Sequence, residues 1–206
     1  MSNKPINQPI QMIAFDFDGT ITTTDTLALF FRYWVGTPRW ILNILKLSPV
    51  LIGYVLRIVP RDTVKAHLVR AFFKGADADE LNRRAAQFAR EVIPGLIRPA
   101  ALKALSEKNK PPYTLYIVSA SISNYLDIWA KDNGIERVIA TDLEIKDGKL
   151  TGELLGPNCW GPGKMTKIEA EMAETPYVLA EAYGDTRGDR EMLHAAQVSF
   201  FKPFHL

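Results

Sequence analysis

Two apolar runs of the sequence are each followed by a pair of aspartates. The first run ends in Asp16 and Asp18, and a run near the C-terminus is followed by Asp185 and Asp189. Four carboxylates gathered at one site repel each other unless a cation lies among them. Aspartate supplies hard oxygen ligands, and no cluster of His or Cys accompanies these positions, so Mg²⁺ is favoured over zinc. The sequence therefore predicts a magnesium site.

Two further polar residues occupy comparable positions in the chain. Ser119 follows the apolar run 113–118, and Lys164 follows the Gly- and Pro-rich segment 161–163. A serine hydroxyl donates a hydrogen bond to a phosphate oxygen, and a lysine supplies a compensating positive charge. Together with the aspartates, these residues predict a phosphoryl-transfer site that has a carboxylate nucleophile.

An alternation of strands and helices must bring these residues together. Apolar and β-branched runs predict strands at 12–17, 113–118, 138–145, 149–155, 177–183 and 198–201, and helical spacing predicts helices at 62–73, 81–92, 100–105, 122–129, 165–172 and 191–196. This alternation predicts an α/β fold with a mostly parallel sheet that is covered on both faces. Ligands bind at the carboxyl ends of the strands in such a sheet, where the polar residues lie.

One long segment interrupts this alternation just after the first strand. Residues 24–93 carry apolar side chains at helical spacing, and the stretch 27–59 holds much of the apolar content of the chain. We therefore predict a core formed by residues 1–23 and 94–206, with an all-helical cap at 24–93.

The polar residues occur in an order that resembles a known enzyme family. Asp16-Phe-Asp18-Gly19-Thr20, Ser119, Lys164 and Gly184-Asp185-x-x-x-Asp189 are similar to the four motifs of the haloacid dehalogenase superfamily of phosphatases. The helical insert, Asp147-Gly-Lys-Leu-Thr-Gly152 and Asn158-Cys159-x-Gly161-x-x-Lys164 resemble the subfamily IB branch, which is phosphoserine-phosphatase-like. The resemblance implies a Rossmann-like three-layer core with an inserted helical cap.

The resemblance also implies a two-step hydrolysis of a phosphate monoester. Asp16 attacks phosphorus to form an aspartyl-phosphate, and Asp18 protonates the leaving alkoxide and then takes a proton from the attacking water. Mg²⁺ is held by Asp16, the Asp18 backbone carbonyl and Asp185, with Asp189 binding or orienting the shell of the ion.

The resemblance assigns the phosphate to a second group of residues. Ser119 and Lys164 bind it, and Gly19 and Thr20 form a tight turn that lets the backbone approach it. Lys167 competes with Lys164 for this role, but the spacing that ends in Lys164 is the one similar to the family.

The substrate stays open between two classes. Asp25 stands where phosphoserine phosphatases carry a Glu that holds the substrate ammonium, or it caps the first cap helix. Arg70 binds a substrate carboxylate by analogy, or it is solvated. A small phosphorylated metabolite such as phosphoserine is the first expectation. The apolar cap also resembles that of phosphatidylglycerophosphate phosphatases, which implies a lipid phosphate as the alternative.

The cap leaves membrane contact open as well. The stretch 40–59 has the length of a membrane span, but it contains Lys46, Pro49 and Arg57, and its longest uncharged piece, 47–56, covers only about 15 Å as a helix. The segment therefore does not span. It either packs over the active site or lies at a membrane interface, where Trp, Tyr, Arg and Lys are typical. A non-catalytic, membrane-associated binding protein is the competing class of function.

Composition excludes several other classes. The 206 residues have a net charge of +2, which argues against a nucleic-acid-coating protein. The single cysteine, Cys159, forms no internal disulfide, and residues 1–11 lack the apolar region of a signal peptide. We therefore expect a cytoplasmic protein, with or without peripheral contact at the inner face of the membrane.

Overall fold

The computed structural model describes residues 9–135 and 137–205. The strands predicted from the alternating pattern form one six-stranded sheet. The strands are β1 Ile10–Phe15, β2 Tyr113–Ile122, β3 Arg137–Lys146, β4 Lys149–Leu155, β5 Tyr177–Gly184 and β6 Val198–Phe201. The strand order is β4-β3-β2-β1-β5-β6. Part of the segment used to predict the lack of a signal peptide, residues 1–8, lies outside the described residues.

Eight α-helices accompany the sheet in the described part of the chain. They are α1 Thr26–Val35, α2 Thr37–Val55, α3 Arg61–Phe73, α4 Ala78–Glu91, α5 Pro99–Lys108, α6 Ser123–Asp132, α7 Pro162–Glu171 and α8 Arg190–Ala195. Short 3₁₀ turns occupy Ile93–Leu96 and Arg187–Asp189. The predicted strands and helices are thus present, with boundaries that move by a few residues.

The sheet is parallel except for the β3–β4 hairpin. This hairpin turns at Asp147 and Gly148, whose φ angles of 52° and 73° fit a tight two-residue turn. In the central strands, Phe15 lies opposite Ile117 of β2 and Tyr183 of β5. β1 and β5 therefore end within one residue of each other, whereas β2 continues to Ile122, and the polar residues at these carboxyl ends meet at one edge.

Alternate residues of the central strands face two hydrophobic layers. Ile13 and Phe15 of β1 pack in the cluster that contains α5 and α6, whereas Met12 and Ala14 pack in the cluster that contains α7 and α8. A sheet buried on both faces is the arrangement expected of parallel strands. The predicted three-layer α/β fold is confirmed.

Helices α1 to α4, which follow β1, pack against the rest of the molecule through aromatic side chains. The Phe30 ring lies 6.2 Å from Phe73, 5.1 Å from Phe88 and 5.2 Å from Tyr125 of α6. The chain that follows α3 contacts the β3–β4 hairpin, where Gly75 N donates to Leu150 O at 2.8 Å. The helices share one hydrophobic core with the sheet, so the cap boundaries at 24 and 93 stay a prediction.

The chain enters and leaves the helical segment side by side. Thr22 and Ile97 form an antiparallel bridge, and Thr23 N donates to Leu96 O at 2.8 Å. Within the described ranges, no helix combines the length and hydropathy that a membrane crossing requires. That finding agrees with the prediction that residues 40–59 do not span.

Candidate active site

Lys164 lies at the centre of the polar residues at the carboxyl ends of the central strands. Its Nζ is 2.6 Å from Asp16 Oδ1 and 2.7 Å from Asp189 Oδ1, and it donates a hydrogen bond to Val118 O at 2.6 Å. The side chain is only 1% exposed. Lys167, the competing lysine, instead pairs with Asp142 at 2.7 Å. The structure therefore brings Lys164 into the predicted site and places Lys167 outside it.

Two glycines allow this close assembly. Gly163 precedes Lys164 in the first turn of α7, and a Cβ at Gly163 would meet Asn158 O at 2.0 Å. Gly19 has a φ of +84°, and a Cβ there would meet Asp185 Oδ2 at 2.3 Å. Only glycine fits at either position, because any side chain would collide with the site. The turn predicted at Gly19 thus lets the backbone of the first motif approach the Asp185 carboxylate closely.

Three of the predicted carboxylates form one cluster. Asp16, Asp185 and Asp189 each place an oxygen within 4.8 Å of the other two. The Thr20 hydroxyl is 3.1 Å from Asp16 Oδ2 and 3.3 Å from Asp185 Oδ1, within hydrogen-bond distance of both. The structure thus gathers three of the four carboxylates predicted at one site, whereas the side chain of Asp18 is not part of this cluster.

The charges of this cluster fit a hard divalent cation. Burial raises the pKa of Asp16 to about 8, with the Asp189 carboxylate acting in the same direction and Lys164 against it. Burial and Asp189 also raise the pKa of Asp185. Close carboxylates with one ammonium among them carry an excess of negative charge, and all their ligand atoms are oxygens. Such a donor set suits Mg²⁺.

Asp189 is fixed in its charged form by its partners. Burial acts to raise its pKa, but Lys164 and hydrogen bonds from Thr186 lower it below the ordinary value. Thr186 N and Oγ1 donate to Asp189 Oδ2 at 2.9 and 3.0 Å. Asp189 therefore both holds Lys164 and anchors the loop after β5.

Asp18 points to a separate set of hydroxyl groups. Its Oδ1 accepts from Thr26 N at 2.7 Å and Thr26 Oγ1 at 2.5 Å, and its Oδ2 accepts from Ser121 Oγ. Burial raises the pKa of Asp18 to about 6, and the nearby Asp25 carboxylate adds to this rise. A carboxyl group with a pKa near neutrality can both give and take a proton, which suits acid–base catalysis.

Two serines, Ser119 and Ser121, lie near the end of β2, and only one of them lines the cavity. Ser119 is fully buried next to Val118, and its Oγ accepts from Ser121 N at 3.1 Å. Ser121, rather than Ser119, lines the cavity above the site. Sequence reasoning missed Ser121 because it placed the strand end at 118, whereas β2 continues to Ile122. The spacing of two from Ser119 was the available signal, since alternate residues of a strand share a face.

A large cavity lies above these residues, with a volume of about 1220 Å³. Asp16, Asp18 and Lys164 line its polar end. Helices α1, α2 and α3 supply apolar walls, which include Leu27, Phe31, Trp40, Ile44, Leu51, Val64 and Leu68. The site thus opens into a space with apolar walls.

The two predicted substrate contacts are engaged elsewhere. Asp25 lines the cavity, but its Oδ1 accepts from Ala28 N at 2.9 Å and so caps α1. Arg70 pairs with Glu153 of β4 and is not among the residues that line the cavity. The capping alternative for Asp25 is therefore observed, and the structure does not bring Arg70 to the site.

A lysine that sequence reasoning missed also faces the cavity. Lys65 of α3 is buried, and its Nζ donates to Ala120 O at 2.5 Å. Burial lowers its pKa to about 8, although the Asp25 and Asp18 carboxylates act in the opposite direction. Cys159 is also buried, and burial raises the pKa of its thiol to about 11, so it is no reactive thiolate.

Comparison with solved structures supports the fold. A protein of unknown function from Bordetella pertussis Tohama I has a TM-score of 0.80 and 20% identity, with 93% of this chain and 89% of that chain covered. An apo phosphoserine phosphatase has a TM-score of 0.62 and 19% identity, with 93% and 86% covered. At these identities the likeness concerns the fold.

Comparison of sequences identifies the family. Protein CicA of Caulobacter vibrioides is 35% identical over 205 residues, which cover 99% of this chain and 90% of that protein. A phosphoserine phosphatase of Streptomyces coelicolor is 26% identical over 132 residues, which cover 63% of this chain and 30% of that protein. The family model for haloacid dehalogenase-like hydrolases matches residues 13–194. The chain therefore belongs to the haloacid dehalogenase-like hydrolases, as its motifs predict, and has a phosphoserine-phosphatase-like fold.

Proposed function

We propose that the protein is a Mg²⁺-dependent phosphatase that hydrolyses a phosphate monoester through an aspartyl-phosphate on Asp16. The observation that carries this proposal is the buried Asp16–Lys164–Asp189 array beside the carboxyl ends of β1 and β5. It holds a carboxylate nucleophile and a permanent positive charge within 2.6 Å of each other. Family membership supports the same chemistry.

The first step transfers the phosphoryl group to the enzyme. An Asp16 oxygen forms a bond to phosphorus while the bond from phosphorus to the ester oxygen breaks. Asp18, held by Thr26 and Ser121, gives its proton to the leaving oxygen. Lys164 stabilises negative charge on the transferring group, and Ser119 is assigned a phosphate hydrogen bond by its motif position.

The second step releases phosphate. A water molecule attacks phosphorus, the bond to the Asp16 oxygen breaks, and Asp18 takes the proton of that water. Asp16, the Asp18 backbone carbonyl and Asp185 would hold Mg²⁺, with Asp189 beside them, and the ion would supply positive charge that offsets the negative charge of the phosphoryl oxygens. The enzyme returns to its starting protonation state.

The leaving group falls into one of two classes. A small metabolite such as phosphoserine is supported by the likeness to phosphoserine phosphatases. A lipid phosphate is favoured by a specific observation, which is that apolar residues of α1, α2 and α3 wall the cavity while Arg70 pairs outside it. We favour the lipid phosphate, with peripheral membrane contact through the cap of an otherwise cytoplasmic protein.

Asp16→Asn tests the reaction. We expect the variant to lose at least about 1000-fold in kcat on an aryl phosphate, because an amide is no nucleophile towards phosphorus. Asp142→Asn is the matched control, since Asp142 pairs with Lys167 outside the site. Unchanged turnover in Asp16→Asn would contradict the proposal.

A substrate panel tests the leaving group. Phosphoserine and a phosphatidylglycerophosphate in mixed micelles are compared with and without Mg²⁺ at equal concentration. A higher kcat/KM for the lipid supports the favoured class, and a higher value for phosphoserine supports the other. Vesicle binding without turnover of any ester would favour the competing class, a non-catalytic binding protein.

A further inference from the structure

Helix α2 and the turn after it expose a row of large apolar side chains. The exposed fractions are 46% for Ile41, 64% for Leu45, 59% for Ile52, 77% for Val55, 63% for Leu56 and 74% for Ile58. We call these six residues the apolar ledge. Such a concentration within eighteen positions differs from single exposed hydrophobic residues, which are normal on a protein surface.

The ledge is one of three faces of α2. Asn43 and Leu47 are buried, with Asn43 Nδ2 donating to Ala71 O of α3 at 3.3 Å. A second face, with Trp40, Ile44 and Leu51, lines the cavity. The helix is therefore apolar on its packed sides and also on the side that no other element of the described residues covers, which is unusual for a surface helix.

The turn after α2 extends the ledge. Val59 packs back on Gly53, where a Cβ would lie 2.6 Å from Val59 Cγ2. Ile58 N donates to Gly53 O at 2.8 Å. Arg57 adopts a φ of 60°, which is uncommon for a residue other than glycine. This folded-back turn holds Leu56 and Ile58 outward beside the end of the helix.

The sequence segment that carries the ledge has charged residues of one sign only. Between Asp25 and Asp62 the sequence has no Asp or Glu, and its charged residues are Arg32, Arg39, Lys46, Arg57 and Arg61. This segment contributes +5 to a total of +2, so the rest of the chain carries −3. The positive charge of the protein is thus concentrated where its exposed apolar surface lies.

We propose that the apolar ledge docks on an anionic lipid membrane, with α2 lying in the plane of the interface. An apolar face flanked by cations is the pattern of an interfacial helix, which gains from buried apolar area and from attraction to anionic lipids. A second copy of the chain fits less well, because a symmetric contact would bring two acid-free cationic segments together. Lipid headgroups supply the opposite charge.

The position of the ledge connects docking with the cavity. Val55 belongs to the ledge and also lines the cavity. Its exposed neighbours Tyr54 and Arg57, which are not part of the ledge, line the cavity as well. The docked face therefore borders an opening of the cavity, and a lipid phosphate reaches Asp16 without leaving the interface. This link rests on the proposed function, whereas docking itself does not.

A vesicle flotation experiment tests docking. The full chain is mixed with vesicles of phosphatidylcholine alone or of equal parts phosphatidylcholine and phosphatidylglycerol. We expect binding to the anionic vesicles, and an affinity at least about tenfold lower for the variant Leu45→Gln, Ile52→Gln, Ile58→Gln, which removes apolar groups from the ledge. Raising the salt from about 50 mM to about 500 mM should weaken wild-type binding, because salt screens the cations.

The matched control replaces three exposed apolar residues elsewhere. Leu102, Ile145 and Leu155 are 45%, 48% and 59% exposed on α5, β3 and β4. Their replacement by Gln should leave vesicle binding unchanged. Both triple variants should hydrolyse a soluble aryl phosphate like the wild type, since none of the residues replaced in either variant lines the cavity.

The outcomes separate docking from the proposed reaction. Asp16→Asn should bind vesicles like the wild type, so binding without turnover would retain docking and reject the phosphatase. Turnover without vesicle binding would overturn docking alone. Equal losses of vesicle binding in the ledge and control variants would also overturn docking. A concentration-dependent dimer that the ledge variant abolishes would overturn it too, because a second copy of the chain would then cover the ledge.

Discussion

At the scale of single residues, the site depends on one buried lysine shared by two aspartates. Lys164 contacts Asp16 at 2.6 Å and Asp189 at 2.7 Å, and these carboxylates together with burial set its charge. Burial acts to lower the pKa of Lys164, but the two carboxylates raise it above the ordinary value. The two carboxylates therefore keep Lys164 protonated at neutral pH.

Lys164→Met and Lys167→Met form a matched pair on the same helix. Lys164→Met leaves two buried carboxylates unpaired, so we expect the free energy of unfolding to fall by about 3–5 kcal/mol and kcat to fall at least about 100-fold. Lys167→Met removes a pair on a half-exposed aspartate, so we expect stability to change by about 1 kcal/mol or less. Urea unfolding and steady-state kinetics measure both. Equal effects of the two substitutions would contradict the assignment of Lys164.

At the scale of elements, the first turns of α3 connect the helical segment to the site loops. Lys65 donates to Ala120 O, and Asp62 Oδ1 accepts from Asn158 Nδ2 at 2.9 Å. The Arg61 guanidinium lies 5.1 Å from the centre of the Trp160 ring. These contacts hold α3 against the end of β2 and the loop before α7, so α3 positions the cavity wall over the site.

Lys65→Met tests this connection. Methionine keeps the apolar stem of the side chain but loses the hydrogen bond to Ala120, and such a bond from a charged group contributes about 1.5 kcal/mol. We expect kcat/KM to fall about tenfold with little change in unfolding temperature, because the buried charge disappears as well. The control is Lys74→Met, at the exposed end of α3. A Lys65→Met enzyme with wild-type kcat/KM would show that this contact does not position the wall.

At the scale of the whole molecule, folding gathers negative charge at the carboxyl ends of the central strands. Lys164 neutralises only part of this charge. The raised pKa values of Asp16 and Asp185 reflect this excess together with burial. A cation bound there stabilises the folded chain, because the unfolded chain has no such site.

Thermal unfolding with and without Mg²⁺ checks this expectation without measuring activity. At a Mg²⁺ concentration about tenfold above its Kd, binding adds about 1.4 kcal/mol, which raises Tm by roughly 2–4 °C for a chain of this size. Asp185→Asn should reduce this rise, because it removes a ligand. Potassium chloride at the same ionic strength is the control, and an equal rise in potassium chloride would argue against a specific site.

The sequence by itself determined the elements and the candidate reacting groups. Periods of two and 3.6 residues are local properties, so the strands, helices and hairpin follow from them. Asp16, Lys164 and Asp185 come next to apolar strand ends or a helix start, and a parallel sheet places such positions together. These parts of the site required no knowledge of how the helices cross.

Only the tertiary structure decided which distant side chains complete the site. Lys65 meets Ala120 because α3 reaches the end of β2, and no local pattern encodes that crossing. Ser121 meets Asp18 because β2 pairs with β1 and continues past its end. Arg70 was a substrate candidate by analogy, but the packing of α3 on β4 pairs it with Glu153. The apolar content of residues 27–59 was visible from the start, yet only the fold separated the side chains that wall the cavity from those that face outward. A helical period gives the faces of a helix, whereas its neighbours decide which face is covered.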